Sequence, residues 1–218
     1  MPAPLPRAVK ALGWVSLLTD ASSEMIYPLL PAFVTRVLAA GPALLGLIEG
    51  VAEATASLVK LASGWVSDRL PRRKPLVLAG YGLSSLSRPL VGLATAPWHV
   101  LLVRFADRFG KGTRGAPRDA LVADVTSPET RGRAFGFQRA MDHTGAVVGP
   151  LVASALLASG QALRTVFLLS ALPAALCLAV LVVWVREAKR PLEPSSPAQP
   201  SGSTSRAYRR YLVVLPSV

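Results

Sequence analysis

Residues 144–163 read TGAVVGPLVASALLASGQAL and residues 165–185 read TVFLLSALPAALCLAVLVVWV, charge-free runs of 20 and 21 residues parted by Arg164 alone. At ~1.5 Å of rise per residue, a helix of either length crosses the ~30 Å hydrocarbon layer of a bilayer. Backbone N–H and C=O groups cannot be left open in lipid, and the chain has no alternating strand pattern, so helices are the only reading. Carried outward from this pair, the same reading predicts six spans at about residues 9–34, 43–67, 76–95, 98–118, 134–158 and 164–186. Proline and glycine punctuate them at Gly41-Pro42, Pro71 to Pro75, Pro97, Pro128 and Gly160, because proline lacks the helical N–H and glycine tolerates left-handed turns.

Composition agrees. Of 218 residues, 51% are hydrophobic and only 17% charged, with a mean hydropathy of +0.44. Soluble chains carry about 25% charged residues, and disordered ones are poor in apolar residues. One cysteine excludes an intrachain disulfide. His99 and His143 lack neighbours at ligand spacing, so neither a metal site nor a cofactor is expected.

A net charge of +12 invites a nucleic-acid reading, which the placement of the charges removes. With the N-terminus inside, 17 Lys and Arg residues fall on the cytoplasmic side and two, Arg36 and Arg164, on the outer side. Lys111, Arg114 and Arg118 are among the 17, and five more lie within spans. Such a bias sets orientation under the positive-inside rule. The expectation is a multi-pass protein of a prokaryotic plasma (inner) membrane with a cytoplasmic N-terminus.

Charges inside the spans need a separate reason, since each costs ~2.5–3.5 kcal/mol at mid-bilayer. Asp20/Glu24 and Glu49/Glu53 are i,i+4 pairs, Glu53/Lys60 is an i,i+7 pair, and Arg104, Asp107, Arg108 and Lys111 form one helical stripe. Arg88, Arg139 and Asp142 add to them. So many charges imply a polar, water-accessible cavity. Individually, each could equally be a structural ion pair. Gly46, Gly50 and Ala54 step by four along the second span, a pattern read as close helix approach. Pro150 after Gly149 predicts a bend in the fifth span.

The stretch Gly64-Trp65-Val66-Ser67-Asp68-Arg69-Leu70-Pro71-Arg72-Arg73, between spans two and three, resembles the G-x-x-x-D-R-x-G-R-R signature of the major facilitator superfamily. Pro71 stands in a glycine position. Arg108 with Gly112 resembles the family's span-4 motif, with Arg114 at a usual glycine. Gly136, Gly145, Gly149 and Pro150 resemble its span-5 "antiporter" motif, where Ala153-Ser154 replace two glycines. The run Thr19 to Met25, with Pro28 and Pro31, is similar to prokaryotic members of largely unassigned substrate.

The resemblance implies an all-α integral membrane fold. Residues 1–186 would be the N-terminal half, a 3+3 inverted repeat, of a twelve-helix transporter working by alternating access and not an enzyme. Its partners would be the bilayer, a small-molecule substrate, protons, and a C-terminal half or a second copy. The antiporter-like motif tilts the expectation to proton-coupled export of drugs or metabolites; proton-coupled uptake by symport, or a non-transporting receptor or scaffold, are the alternatives. By the same resemblance, Asp68, Arg69, Arg72 and Arg73 would form a cytoplasmic gate, with Asp119 and Asp124 as local partners. Arg108 would act on a proton-carrying acid, Asp20 first, with Glu24 and Glu53 behind it. Residues 187–207, rich in Pro and Ser, read as a cytoplasmic linker, and 208–218 as the start of a seventh span.

Overall fold

A computed structural model describes residues 4–185. The linker and the start of a seventh span lie outside the described residues. Within them all regular structure is helical, and six spans run in the expected order. The first is α1 (Arg7–Glu24), prolonged by short helical turns at Tyr27–Leu29, Leu30–Ala32 and Phe33–Val37. Then come α2 (Pro42–Arg69), α3 (Lys74–Ser87, with a 3-10 tail Arg88–Leu93), α4 (Pro97–Asp124), α5 (Pro128–Ala158) and α6 (Leu163–Trp184). Helices α4 and α5 begin or end about six residues beyond the sequence-based bounds, because those bounds were drawn on apolar runs and the ends here are polar.

Local chemistry sets the ends. Pro42, Pro97 and Pro128 occupy first helical positions, where no N–H is needed. The Nδ1 atom of His99 accepts from the backbone N–H groups of Thr95 and Ala96, both at 3.2 Å, and so caps the start of α4. Gly160, with φ of +86°, makes the left-handed turn between α5 and α6. Proline also breaks helices internally. Pro28 and Pro31 follow the interruption of α1, Pro89 starts the 3-10 tail of α3, and Pro173 lies just past the break of α6 at Ser170. Helix α5, in contrast, is continuous through Pro150.

The packing is two-fold in pattern. Helix α2 packs along α4, and α5 along α1; α3 packs on α4, and α6 on α1; the tail of α3 meets the start of α6. Exchanging α1 with α4, α2 with α5 and α3 with α6 leaves this set unchanged, as an inverted repeat requires. Two glycines make the main crossings possible. A Cβ on Gly145 would stand 2.3 Å from the carbonyl oxygen of Leu17, and one on Gly112 would stand 2.7 Å from that of Ala56. The stripe Gly46, Gly50, Ala54 behaves otherwise: nothing lies within 4 Å of a Cβ at either glycine, so among the described residues no helix packs on this face of α2. Gly136 is equally unencumbered.

Large apolar side chains cover the outside, among them Leu61, Leu86, Leu151, Leu172 and Val183. A surface of this kind belongs in lipid. By length and composition α2, α3 with its tail, α5 and α6 each qualify as spans. Helices α1 and α4 are held between them, α1 divided by its prolines and α4 bearing charges from Arg104 to Asp124. The protein is a multi-pass membrane protein.

Candidate solute cavity and its charge networks

A cavity of ≈ 410 Å³ lies between α1, α2, α4 and α5. Thr19 and Asp20 face it from α1; Glu53, Ala56, Ser57 and Lys60 from α2; Lys111, Gly112, Arg114, Gly115, Arg118 and Asp119 from α4; Arg139, Asp142, His143 and Ala146 from α5. Four acids and five bases share one space, and only two alanines are apolar. One side neutralises itself. Asp142 lies 3.5 Å from Arg139 and 3.7 Å from Arg118, and Arg118 lies 3.1 Å from Asp119. Asp20, half-buried, is within electrostatic range of Asp142, Arg114, Arg88 and Lys111, but its carboxylate makes no ion pair or hydrogen bond among the described residues.

A second network centres on a buried pair and touches the cavity only through Thr19. Arg88 and Asp107, 2% and 1% exposed, pair at 2.8 Å. Arg88 also donates to the carbonyl oxygen of Thr19 (2.8 Å) and to its hydroxyl (2.9 Å). Tyr27 donates its phenol to Asp107. Arg104 pairs with both oxygens of Glu49 and its guanidinium sits 4.0 Å from the Tyr27 ring centroid. Four helices, α1 to α4, are thereby tied at one level. Charge-assisted bonds of this kind are the strong ones, and each of those named joins two different spans.

Arg114 shows how a departure from the family pattern is housed. Its guanidinium bonds Ser84 Oγ at 2.5 Å and lies 4.5 Å from the Tyr81 ring centroid. A Cβ on Gly80 would come within 2.8 Å of Arg114 Cβ, so the glycine on α3 supplies the room that the usual glycine on α4 would have given. Arg114 is buried, and Lys111 and Arg118 line the cavity. Those three therefore do not belong to the basic end of the bundle, where the sequence count placed them. Without them the bias is still 14 against two.

At that basic end Arg73 bridges Asp68 (3.4 Å) and Asp124 (2.7 Å). Asp124 is thus a partner of Arg73, whereas Asp119 is taken by Arg118. Arg69 pairs with no carboxylate among the described residues; it donates to the Trp65 carbonyl at 3.0 Å and lies 3.6 Å over the Trp65 ring. Arg72 is exposed. Gly64 makes an ordinary 3.5 Å approach to Ala116.

Of the acids and bases singled out from sequence, Asp20, Glu53, Arg139 and Asp142 meet in the cavity. Glu49 belongs to the second network, where it pairs with Arg104. Glu24 lies at the α1–α5 crossing, where a Cβ on Gly149 would stand 2.8 Å from its own Cβ. Arg108 lies 5.0 Å over the Tyr27 ring, and no hydrogen bond or ion pair joins it to Asp20 among the described residues. Sequence reading passed over Tyr27 altogether and left Arg88 and Asp107 without a partner. Spacing along one helix carries no signal for a pair made between two.

Among the described residues no group of three or more His, Cys, Asp or Glu is placed to hold a metal ion. Six helices in an inverted-repeat arrangement around a charged cavity define half of a solute-transporter fold. Residues 12–216 match the sequence pattern of the Major Facilitator Superfamily, and the chain belongs to that family. It is 39% identical over 145 residues to the uncharacterized MFS-type transporter MJ1317 of Methanocaldococcus jannaschii, covering 66% of this chain and 36% of that one. It is 34% identical over 186 residues to the uncharacterized protein Rv2265 of Mycobacterium tuberculosis, covering 85% and 45%. The multidrug resistance protein MdtH of Photorhabdus laumondii is 30% identical over 65% of this chain and 35% of its own length. Among solved structures, a peptide transporter POT in complex with sulfate superposes with a TM-score of 0.76 at 18% identity, over 97% of this chain and 45% of that one. A bacterial homolog of the human lysosomal transporter Spinster, inward-facing and unoccupied, gives 0.74 at 20% identity, over 97% and 50%. The chain thus spans about half the length of the proteins it matches.

Proposed function

We propose that this chain is the N-terminal half of a small-solute transporter that works by alternating access and couples solute uptake to protons. The cavity carries the reading. Charged and polar side chains from four helices are held at bilayer depth, where each charge is costly without a task. In this family the second half would close the cavity, and rocking of the halves would expose it to each side in turn.

Asp20 is the proton carrier in this account. It faces the cavity, has no fixed partner, and is surrounded by Lys111, Arg114 and Arg88 on one hand and Asp142 on the other. Solute or proton arriving there changes the balance between these groups. Arg73, Asp68 and Asp124 act as the cytoplasmic gate, and the basic bias sets the N-terminus and the linker of residues 187–207 inside. Residues 208–218 begin the seventh span.

Export is the second reading, favoured by the likeness to MdtH and by the span-5 motif. The lining speaks against it for a lipophilic cargo: sites for apolar molecules are lined mainly by apolar and aromatic side chains, and this half contributes two alanines. The experiment is a flux assay in proteoliposomes of the complete transporter under an imposed pH gradient. Accumulation of a polar solute with an inward proton gradient, collapsing with a protonophore, is expected. Accumulation that needs the opposite gradient would establish export instead.

A further inference from the structure

The charges of the cavity are of two kinds. Arg118, Arg139, Asp119 and Asp142 satisfy one another along α4 and α5. Besides Asp20 and Lys111, the side chains of Glu53 and Lys60 on α2 do not: both line the cavity, both are exposed, and neither side chain makes an ion pair or hydrogen bond among the described residues. They are seven residues apart, so they share one face of α2 about 10 Å from each other along the axis. Ala56 and Ser57, small residues, lie between them on the lining. The aliphatic stem of Lys60 runs alongside α4, its Cδ and Cε 3.8 Å from where a Cβ on Gly115 would be.

From this we infer that the solute is a small zwitterion, its cationic group held at Glu53 and its anionic group at Lys60. The inference rests on the transporter reading and names the substrate class. An anion alone would gain from Lys60 but lie against Glu53 unpaired, and a cation alone would meet the converse. A zwitterion satisfies both, and neither charge of the wall is left facing an empty site when it binds. The small residues between the two charges leave space for the body of the solute. Asp20, kept out of this contact on the opposite helix, stays free to carry the proton.

The test uses the complete transporter in nanodiscs and proteoliposomes. L-alanyl-L-alanine, β-alanine and glycine betaine serve as zwitterions, succinate as an anion, tetraethylammonium as a cation and rhodamine 6G as a lipophilic cation. At least one zwitterion should bind and be transported, while the single-sign and lipophilic probes are not. Glu53→Gln and Lys60→Gln should each weaken that zwitterion about 10- to 150-fold, the worth of one charge-assisted hydrogen bond. Neither variant should change the unliganded melting temperature. Transport of succinate, tetraethylammonium or rhodamine 6G in preference to every zwitterion would overturn the inference and leave the transporter reading standing. A fall in unliganded stability in both variants would overturn it too, showing that Glu53 and Lys60 are paired with the other half. No flux of any probe would strike the transporter reading itself, and the inference with it.

Discussion

Removing Asp107 should do more damage than removing Asp107 and Arg88 together. Both side chains are almost wholly inaccessible and stand 2.8 Å apart. At an effective dielectric of ~20 the gross attraction at that distance is roughly 6 kcal/mol, largely offset by the desolvation of the two ions. Asp107→Asn keeps the shape but takes away the countercharge. Arg88 then retains only neutral acceptors, the oxygens of Thr19 and the new amide oxygen, and the Arg104 guanidinium, 3.9 Å from Asp107, faces it without an acid between. Leaving one buried ion unpaired costs about 3–5 kcal/mol. In the Asp107→Asn/Arg88→Gln variant two amides replace the pair, and most of that loss should be regained. The assay is a double-mutant cycle on unfolding of the purified protein in mixed micelles. Additive losses, or an Asp107→Asn variant within about 1 kcal/mol of the parent, would refute the claim that this pair is a desolvated tie between α3 and α4.

Other outcomes follow from the same geometry. Tyr27→Phe should cost about 1.5–3 kcal/mol, the loss of one hydrogen bond to a charged acceptor, measured by the same unfolding assay. Gly145→Val should abolish or sharply reduce folded yield, since even a Cβ meets the Leu17 carbonyl, while Gly136→Ala should be neutral by size-exclusion monodispersity. Arg73→Ala, which unties Asp68 from Asp124, should increase accessibility of the basic end to thiol reagents when a cysteine is placed at the exposed Ser127. For topology, Ser159→Cys should react with an impermeant thiol reagent in intact cells and Ser127→Cys should not; the reverse result would invert the proposed orientation.

The fold was legible because lipid permits so few answers. Two charge-free runs and the Pro and Gly between the others place six helices, and their bounds move only where polar turns extend α4 and α5. The inverted repeat came from family resemblance, and the exchange symmetry of the packing supports it. The site was legible in part. Spacing put Glu53 and Lys60 on one face of α2, and they do share the cavity. It could not bring Arg88 to Asp107, or Arg104 to Glu49, because those pairs depend on the register between helices. That register is set where backbones touch, at Gly112 on Ala56 and at Gly145 on Leu17. Gly46 and Gly50, four residues apart on α2, meet nothing among the described residues, so small-residue spacing alone does not say which stripe is the contact. The family resemblance linked Arg108 to Asp20; the structure lays Arg108 over the Tyr27 ring, with no hydrogen bond or ion pair to Asp20 among the described residues.

The central claim is that Asp20 in this cavity couples solute movement to protons. Its direct measurement is solute-dependent proton flux into proteoliposomes of the complete transporter, followed with an internal pH indicator, for the parent and for Asp20→Asn. The account predicts proton entry with solute in the parent. In Asp20→Asn, proton entry should fall to the level of empty liposomes, while solute binding is retained. Solute-driven proton flux of undiminished rate in Asp20→Asn would contradict it.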